Sequence, residues 1–163
     1  MPRQRGIITR NSVNIMLIET LILLYKRDLE SLKKEIGAYC NEAALWRVDR
    51  DIANSAGNLC LHLIGNLKHF IGAQFGQTGY VRQRDLEFST KDVPRGELAK
   101  MIEETIVAVE KGLRAVSDEQ LRAEYPLLVF AEKTSTEYML VHLATHLSYH
   151  LGQINYHRRL LDN

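Results

Sequence analysis

Apolar residues recur every third or fourth position in four separate stretches of the chain, the period of amphipathic helices, and no strand pairing stands out. In the first stretch, about Asn11 to Tyr39, one face carries Leu17, Leu21, Tyr25, Leu29, Leu32, Ile36 and Tyr39, and Asn11 is the expected cap. Its first half is apolar on a second side too, at Ile15, Ile18 and Ile22, which fits either a dimer contact or a helix end covered by a loop. A second helix is expected from about Asn54 to Phe75. It pairs an apolar stripe (Leu59, Leu63, Leu67, Phe70) with a polar one (Asn58, His62, Asn66, His69), and Gly72, Gly76 and Gly79 are read as its end. The third helix opens at Pro94, turns Leu98, Ile102, Thr105, Val109, Leu113 and Val116 inward, and sets Glu103, Glu104, Glu110 and Lys111 outward. Ser117 to Gln120 fits a capping box for a short helical turn. Thr134 to Glu137 fits a second, opening a last helix that ends near Leu160.

Between the second and third helices lie 17 residues, Gln77 to Val93, with neither period. Extended, such a segment reaches roughly 55 Å, against roughly 33 Å for a 22-residue helix, so it can cross the whole domain and permit a non-sequential order of helices. Arg82, Arg84, Asp85 and Glu87 on it either line the mouth of a site or form a surface ion-pair cluster that pins the connection.

The last helix breaks the usual rule for an amphipathic segment. Tyr138 to His157 holds four of the six histidines and no Asp, Glu, Lys or Arg. His142, His146 and His150 follow one another at i, i+4 and i+8, each about 40° around and about 6 Å along from the last, and Gln153 and His157 extend the stripe. A solvent face would carry charges and a plain core face aliphatics, so a polar, uncharged stripe marks the wall of a site. Ile52 to Leu67 in the second helix is equally free of charge, and the two histidine-bearing helices are expected to face each other inside a bundle.

Composition narrows the setting. With 163 residues, 45% of them hydrophobic, the chain has the length of one domain, 1–163, with one core. A net charge of +1, from 21 basic and 20 acidic residues, gives no electrostatic case for nucleic acid or an anionic membrane. Two cysteines, Cys40 and Cys60, and an opening MPRQRGIITR that suggests no secretion make a reducing cytoplasm the expected setting. The most apolar run, Ile15 to Tyr25, contains Glu19 and falls well short of the roughly 20 residues that span a bilayer.

Imidazole is the commonest ligand for borderline divalent metals, and an i, i+4 pair on one helical face can close on one ion. The third ligand must come from another helix. His62 is the natural candidate, since His69 lies two turns away, about 10 Å along, and only one of them can reach the same ion. Three histidines leave coordination positions open, as in a catalytic site. HLATH and HLSYH lack the Glu of the helix-borne metalloprotease motif, and no histidine has the Glu three residues earlier that di-iron bundles need. The small polar Ser148 and Asn66 do not suit a haem pocket, and Cys60, pointing about 200° away from His62, reads as core. The competing reading is a set of buried histidines hydrogen-bonded to Asn and Tyr.

HLATHLSYHLGQINYHRRLL resembles the last helix of the DinB/YfiT-like proteins, whose pattern is a His-x-x-x-His pair followed by a Gly-Gln-hydrophobic step, matched here by His146, His150, Gly152, Gln153 and Ile154. NSAGNLCLHLIGNLKHFIG with the later YVRQRDLEF is similar to the DUF1572 branch of that superfamily. The resemblance implies an all-α, four-helix bundle in up-down-down-up order, with the long connection between helices two and three, often as a homodimer. It implies a metal triad of His62, His146 and His150 with zinc or nickel. His142, Gln153, Asn66, Tyr149 and Arg84 are the expected supporting or substrate-binding side chains. His157 lies outside the triad, and Gln153, one turn past the ligands, is expected to bond the backbone or a ligand ring. Characterised relatives include transferases and isomerases that use a low-molecular-weight thiol, and others look like hydrolases. The implied activity is metal-assisted attack of water or such a thiol on a small electrophile. The alternative is a non-catalytic, stress-related bundle with a structural metal or histidine network.

Overall fold

The apolar stripes fold as helices in the computed structural model, which describes residues 10–162. Six α-helices follow one another: α1 (Arg10–Gly37), α2 (Ala56–Leu67), α3 (Arg84–Ser89), α4 (Arg95–Ala115), α5 (Asp118–Arg122) and α6 (Thr136–Leu161). A 3-10 turn, Glu42–Trp46, precedes α2, and α2 runs on without a break through a π-helical turn, Lys68–Ala73, and a last α turn, Gln74–Gly76. No named strand occurs among the described residues, only an isolated antiparallel bridge between Glu124 and Ser135. The cap expected at Asn11 rests on a side chain outside the described ones, and most of the opening segment also lies outside them.

In α1 the stripe from Leu21 to Ile36 is buried, and Tyr39 closes it. Ile22 on the second side is buried as well and Ile18 packs against the core, so that side does not stand free as a whole; Ile15, Met16 and Leu23 are the exposed apolar residues there. Every residue of α2 is buried, from Ala56 to Leu67. That is the physical reason it carries no charge, because a helix covered on all sides has no solvated face on which to put one. Ser55, one residue after the expected Asn54, caps it by accepting a hydrogen bond from the Asn58 backbone N–H.

The second helix ends at Gly76, one residue past the expected Phe75, where Gln77 takes a left-handed φ of 50°, but Gly72 lies inside the π turn and does not stop it. These glycines are spacers for a close crossing, since Gly76 lies against Gly112 of α4, and a Cβ on Gly112 would come within 2.6 Å of the Ile71 carbonyl oxygen. Residues 77–93 are not irregular throughout, because α3 forms within them, and its six residues are too few to display a helical period. The Thr134 to Glu137 box does not form. Ser135 caps α6 through the Tyr138 N–H, because the Thr134 carbonyl is already taken by the Tyr125 N–H at 2.8 Å. The box at Ser117 and Gln120 forms as read.

Cross-links fix how the long helices run. The Tyr25 hydroxyl donates to the Leu140 carbonyl at 2.7 Å, and Glu35 accepts from Asn155 and Arg158 at 2.8 Å each, so α1 and α6 advance together. Glu19 pairs with Arg114 and Lys33 with Glu103, so α1 and α4 oppose each other. Lys68 pairs with Glu104 while Gly76 meets Gly112, so α4 follows the direction of the helix that begins at Ala56. Beyond α6, the Asp162 carboxylate accepts the Cys40 and Asn41 N–H groups and ties the two chain segments together. Among the described residues no helix is long and apolar enough to cross a membrane.

Candidate metal centre

Where α2 crosses α6, His62 of α2 meets His146 and His150 of α6. The Nε2 atoms of His62 and His146 are 3.3 Å apart, and those of His150 and His146 are 3.1 Å apart. Two nitrogens bound at 2.0 to 2.1 Å to a tetrahedral ion stand about 3.3 to 3.4 Å apart, so these two spacings are close to edges of a coordination tetrahedron. Proton placement supports the same reading. The Nδ1–H of His62 donates to Glu87 Oε2 at 3.0 Å, and the Nδ1–H of His150 donates to Gln153 Oε1 at 2.6 Å. Each therefore presents an Nε2 lone pair to the common point, and converging lone pairs repel unless a cation or a proton lies between them. Of these three imidazoles, His146 has its Nδ1 buried without a hydrogen-bond partner.

Of the two readings of the connection, the ion pair that pins it forms between Arg82 and Glu87, but inside the protein and not on its surface: Glu87 is buried at 5% exposure, and Arg82 grips both of its oxygens, Nε at 2.7 Å and Nη2 at 2.8 Å. Burial alone would raise its pKa, but hydrogen bonds from Arg82 and then His62 hold the carboxyl below its ordinary value, so it stays an anion that orients His62. Gly65 lets it approach, since a Cβ there would fall 2.2 Å from Glu87 Oε1. Asn58 anchors the same segment from α2, donating to the carbonyls of Glu87 and Thr90. The available signal was the alternation of charge and apolar residues in YVRQRDLEF, with Arg82 and Glu87 five apart.

The other expected residues divide. Gln153 bonds the His150 ring, and its amide N–H donates to the Tyr149 hydroxyl at 3.3 Å. His142 stays out of the ligand group and stacks between Tyr138 and His146, with Phe130 edge-on. His157 leaves the stripe altogether: it is buried between the Tyr39 hydroxyl, 2.7 Å from Nδ1, and the Arg47 carbonyl, 2.9 Å from Nε2. His69 packs on Phe70, outside the group. Asn66 is buried with its Oδ1 unpartnered, and Arg84 lies over the Phe88 ring, whose other neighbour is His62. Cys60 is fully buried, its thiol pushed up to about 12 by that burial, and is a core residue.

Clefts flank the group. One of about 600 Å³ is lined by His62, His146, Asn66 and Arg84, and another of about 530 Å³ by His150, Gln153, Tyr149 and Tyr156.

Burial, followed by the positive charge of neighbouring His150, His62, His142 and Arg82, pushes His146 down to about 4. Burial is also the first cause of the lowered values of His150 and His157. The unfolded chain takes up protons at these positions from about pH 6.5 downward, while the folded chain refuses them. Unfolded chains then bind more protons than folded ones, and stability falls as pH falls. Urea unfolding of metal-free protein should show a lower midpoint at pH 5.5 than at pH 7.5, a window above the range in which carboxylates titrate. An equal or higher midpoint at pH 5.5 would contradict it.

A family model described as "Protein of unknown function (DUF1572)" matches residues 17–163. No curated protein and no solved structure matches the chain.

Proposed function

Because the chain belongs to the DUF1572 family, whose description assigns no activity, its function has to be argued from its own residues, and we propose a metal-dependent enzyme. In this reading His62, His146 and His150 hold one divalent ion, zinc or nickel, for attack of water or a low-molecular-weight thiol on a small electrophile. The observation that carries it is the convergence of the histidine Nε2 atoms, with Glu87 and Gln153 fixing the tautomers of two of the rings. An ion bound there supplies Lewis acidity, lowering the pKa of a coordinated water or thiol toward neutrality. Glu87 keeps His62 neutral at Nε2 and raises its basicity as a ligand; Arg82 keeps Glu87 charged and in place.

A closed structural shell needs a fourth protein ligand, and neither His142 nor His69 joins the group, which favours an open, catalytic centre over a structural one. The helix directions support the finer fold reading, a single-domain four-helix bundle in up-down-down-up order made by α1, α2, α4 and α6, with residues 77–93 as its crossover. The exposed Ile15, Met16 and Leu23 support a homodimer contact along α1. Free Cys40 and Cys60 accord with a cytoplasmic setting.

Protein loaded with zinc or nickel and desalted should retain close to one ion per chain by elemental analysis. It should then transfer glutathione, bacillithiol or mycothiol to a small electrophile, or hydrolyse it, at a rate that metal removal abolishes. Absence of metal uptake, or a rate indifferent to metal, would overturn the proposal.

A further inference from the structure

The larger cleft beside the histidines has a chemistry of its own. Arg82 and Arg84 line it, and no Asp or Glu does. The Arg82 charge is answered by Glu87 from behind. Arg84 is in no ion pair among the described residues; its guanidinium carbon lies 5.3 Å from the centre of the Phe88 ring, which also neighbours His62. Asn66, 7% exposed, also belongs to the lining of the cleft. Much of the remaining lining is apolar, including Leu127, Leu128, Val129, Met139 and Leu143, with Leu128 65% exposed. An exposed cation without a counter-charge and apolar side chains around one cavity describe a complementary ligand: an anionic head and an apolar body.

We propose that this cleft binds small organic carboxylates with an apolar body, Arg84 taking the carboxylate, so that the electrophile of the reaction is an anion. The proposal rests on the metal reading only for its last clause. Arg84 is suited to the task because guanidinium edges pair with carboxylates through two parallel hydrogen bonds, while the ring beneath keeps its plane fixed.

The test uses metal-free full-length protein, so that no ion can take the carboxylate, and three probes: 3-phenylpropionate, its neutral amide and acetate. Titration calorimetry should show 3-phenylpropionate binding at least about tenfold more tightly than the amide, the size of one charge-assisted contact, and more tightly than acetate. Arg84→Ala should lower the affinity for the acid by about tenfold or more and leave that for the amide unchanged, with Arg84→Lys recovering part of the loss. Arg84→Ala leaves an exposed position and no ion pair, so folding is not at risk. Equal binding of acid and amide, no binding of any probe, or an Arg84→Ala variant that binds like the parent would overturn the proposal. Metal loading of the parent protein, measured alongside, separates the two readings. A parent that fails to load metal yet binds the acid through Arg84 refutes the metal centre alone, and one that loads metal but binds the acid without Arg84 refutes the anion site alone.

Discussion

His146→Ala is expected to remove the bound ion entirely, taking elemental analysis from close to one metal per chain to the background level while circular dichroism stays helical. His146 is the common neighbour in the group, its Nε2 lying 3.3 Å from that of His62 and 3.1 Å from that of His150. Without it, two ligands on different helices remain, too few to close a site on zinc or nickel. The fold should survive because its Nδ1 has no hydrogen-bond partner to lose, and the apolar positions that carry α6, such as Leu143, Leu147 and Ile154, are untouched. His157→Ala is the counterpart with the opposite signature. It should keep the metal and lose stability, by about 1 to 3 kcal/mol, because it strands the Tyr39 hydroxyl and the Arg47 carbonyl. Metal retained in His146→Ala would remove the centre from consideration.

Glu87→Gln should weaken zinc binding by about 10- to 100-fold, read by competition with a chromogenic chelator. The amide preserves volume but removes the charge that holds His62 in its ligating tautomer, and it leaves the Arg82 guanidinium facing a neutral group with its side chain 12% exposed. Gly65→Ala approaches the same carboxylate from the other direction. Its methyl would require Glu87 Oε1 to move from a position 2.2 Å away, so affinity should fall although no charge has changed. If both variants bound zinc as the parent does, Glu87 would be a packing residue and not an orienting one.

The histidines were legible because their signal is local: three residues at i+4 spacing on one helix, and a second charge-free segment whose lack of charge turned out to follow from complete burial. The helix stripes were legible for the same reason, each being a period that one helix imposes on its own sequence. What escaped was long-range. Glu87 belongs to a six-residue helix with no period of its own, and nothing in DLEF states that its carboxylate will be carried inside and set against His62, 25 residues earlier. Gly72 was misread because a helix stop and a close helix crossing use the same residue for different reasons, freedom of φ in one case and absence of a side chain in the other. The shift of the α6 cap from Thr134 to Ser135 likewise depends on a partner, Tyr125, that lies outside the capping window.

The crossover that brings Glu87 to His62 is held to α2 by Asn58, which donates to the carbonyls of Glu87 and Thr90 and accepts from Lys91. In the proposed metal reading, docking of that segment and ion affinity are then linked, and the influence is mutual: whatever factor the docked crossover would contribute to ion affinity, an ion would return as the same factor in favour of the docked crossover.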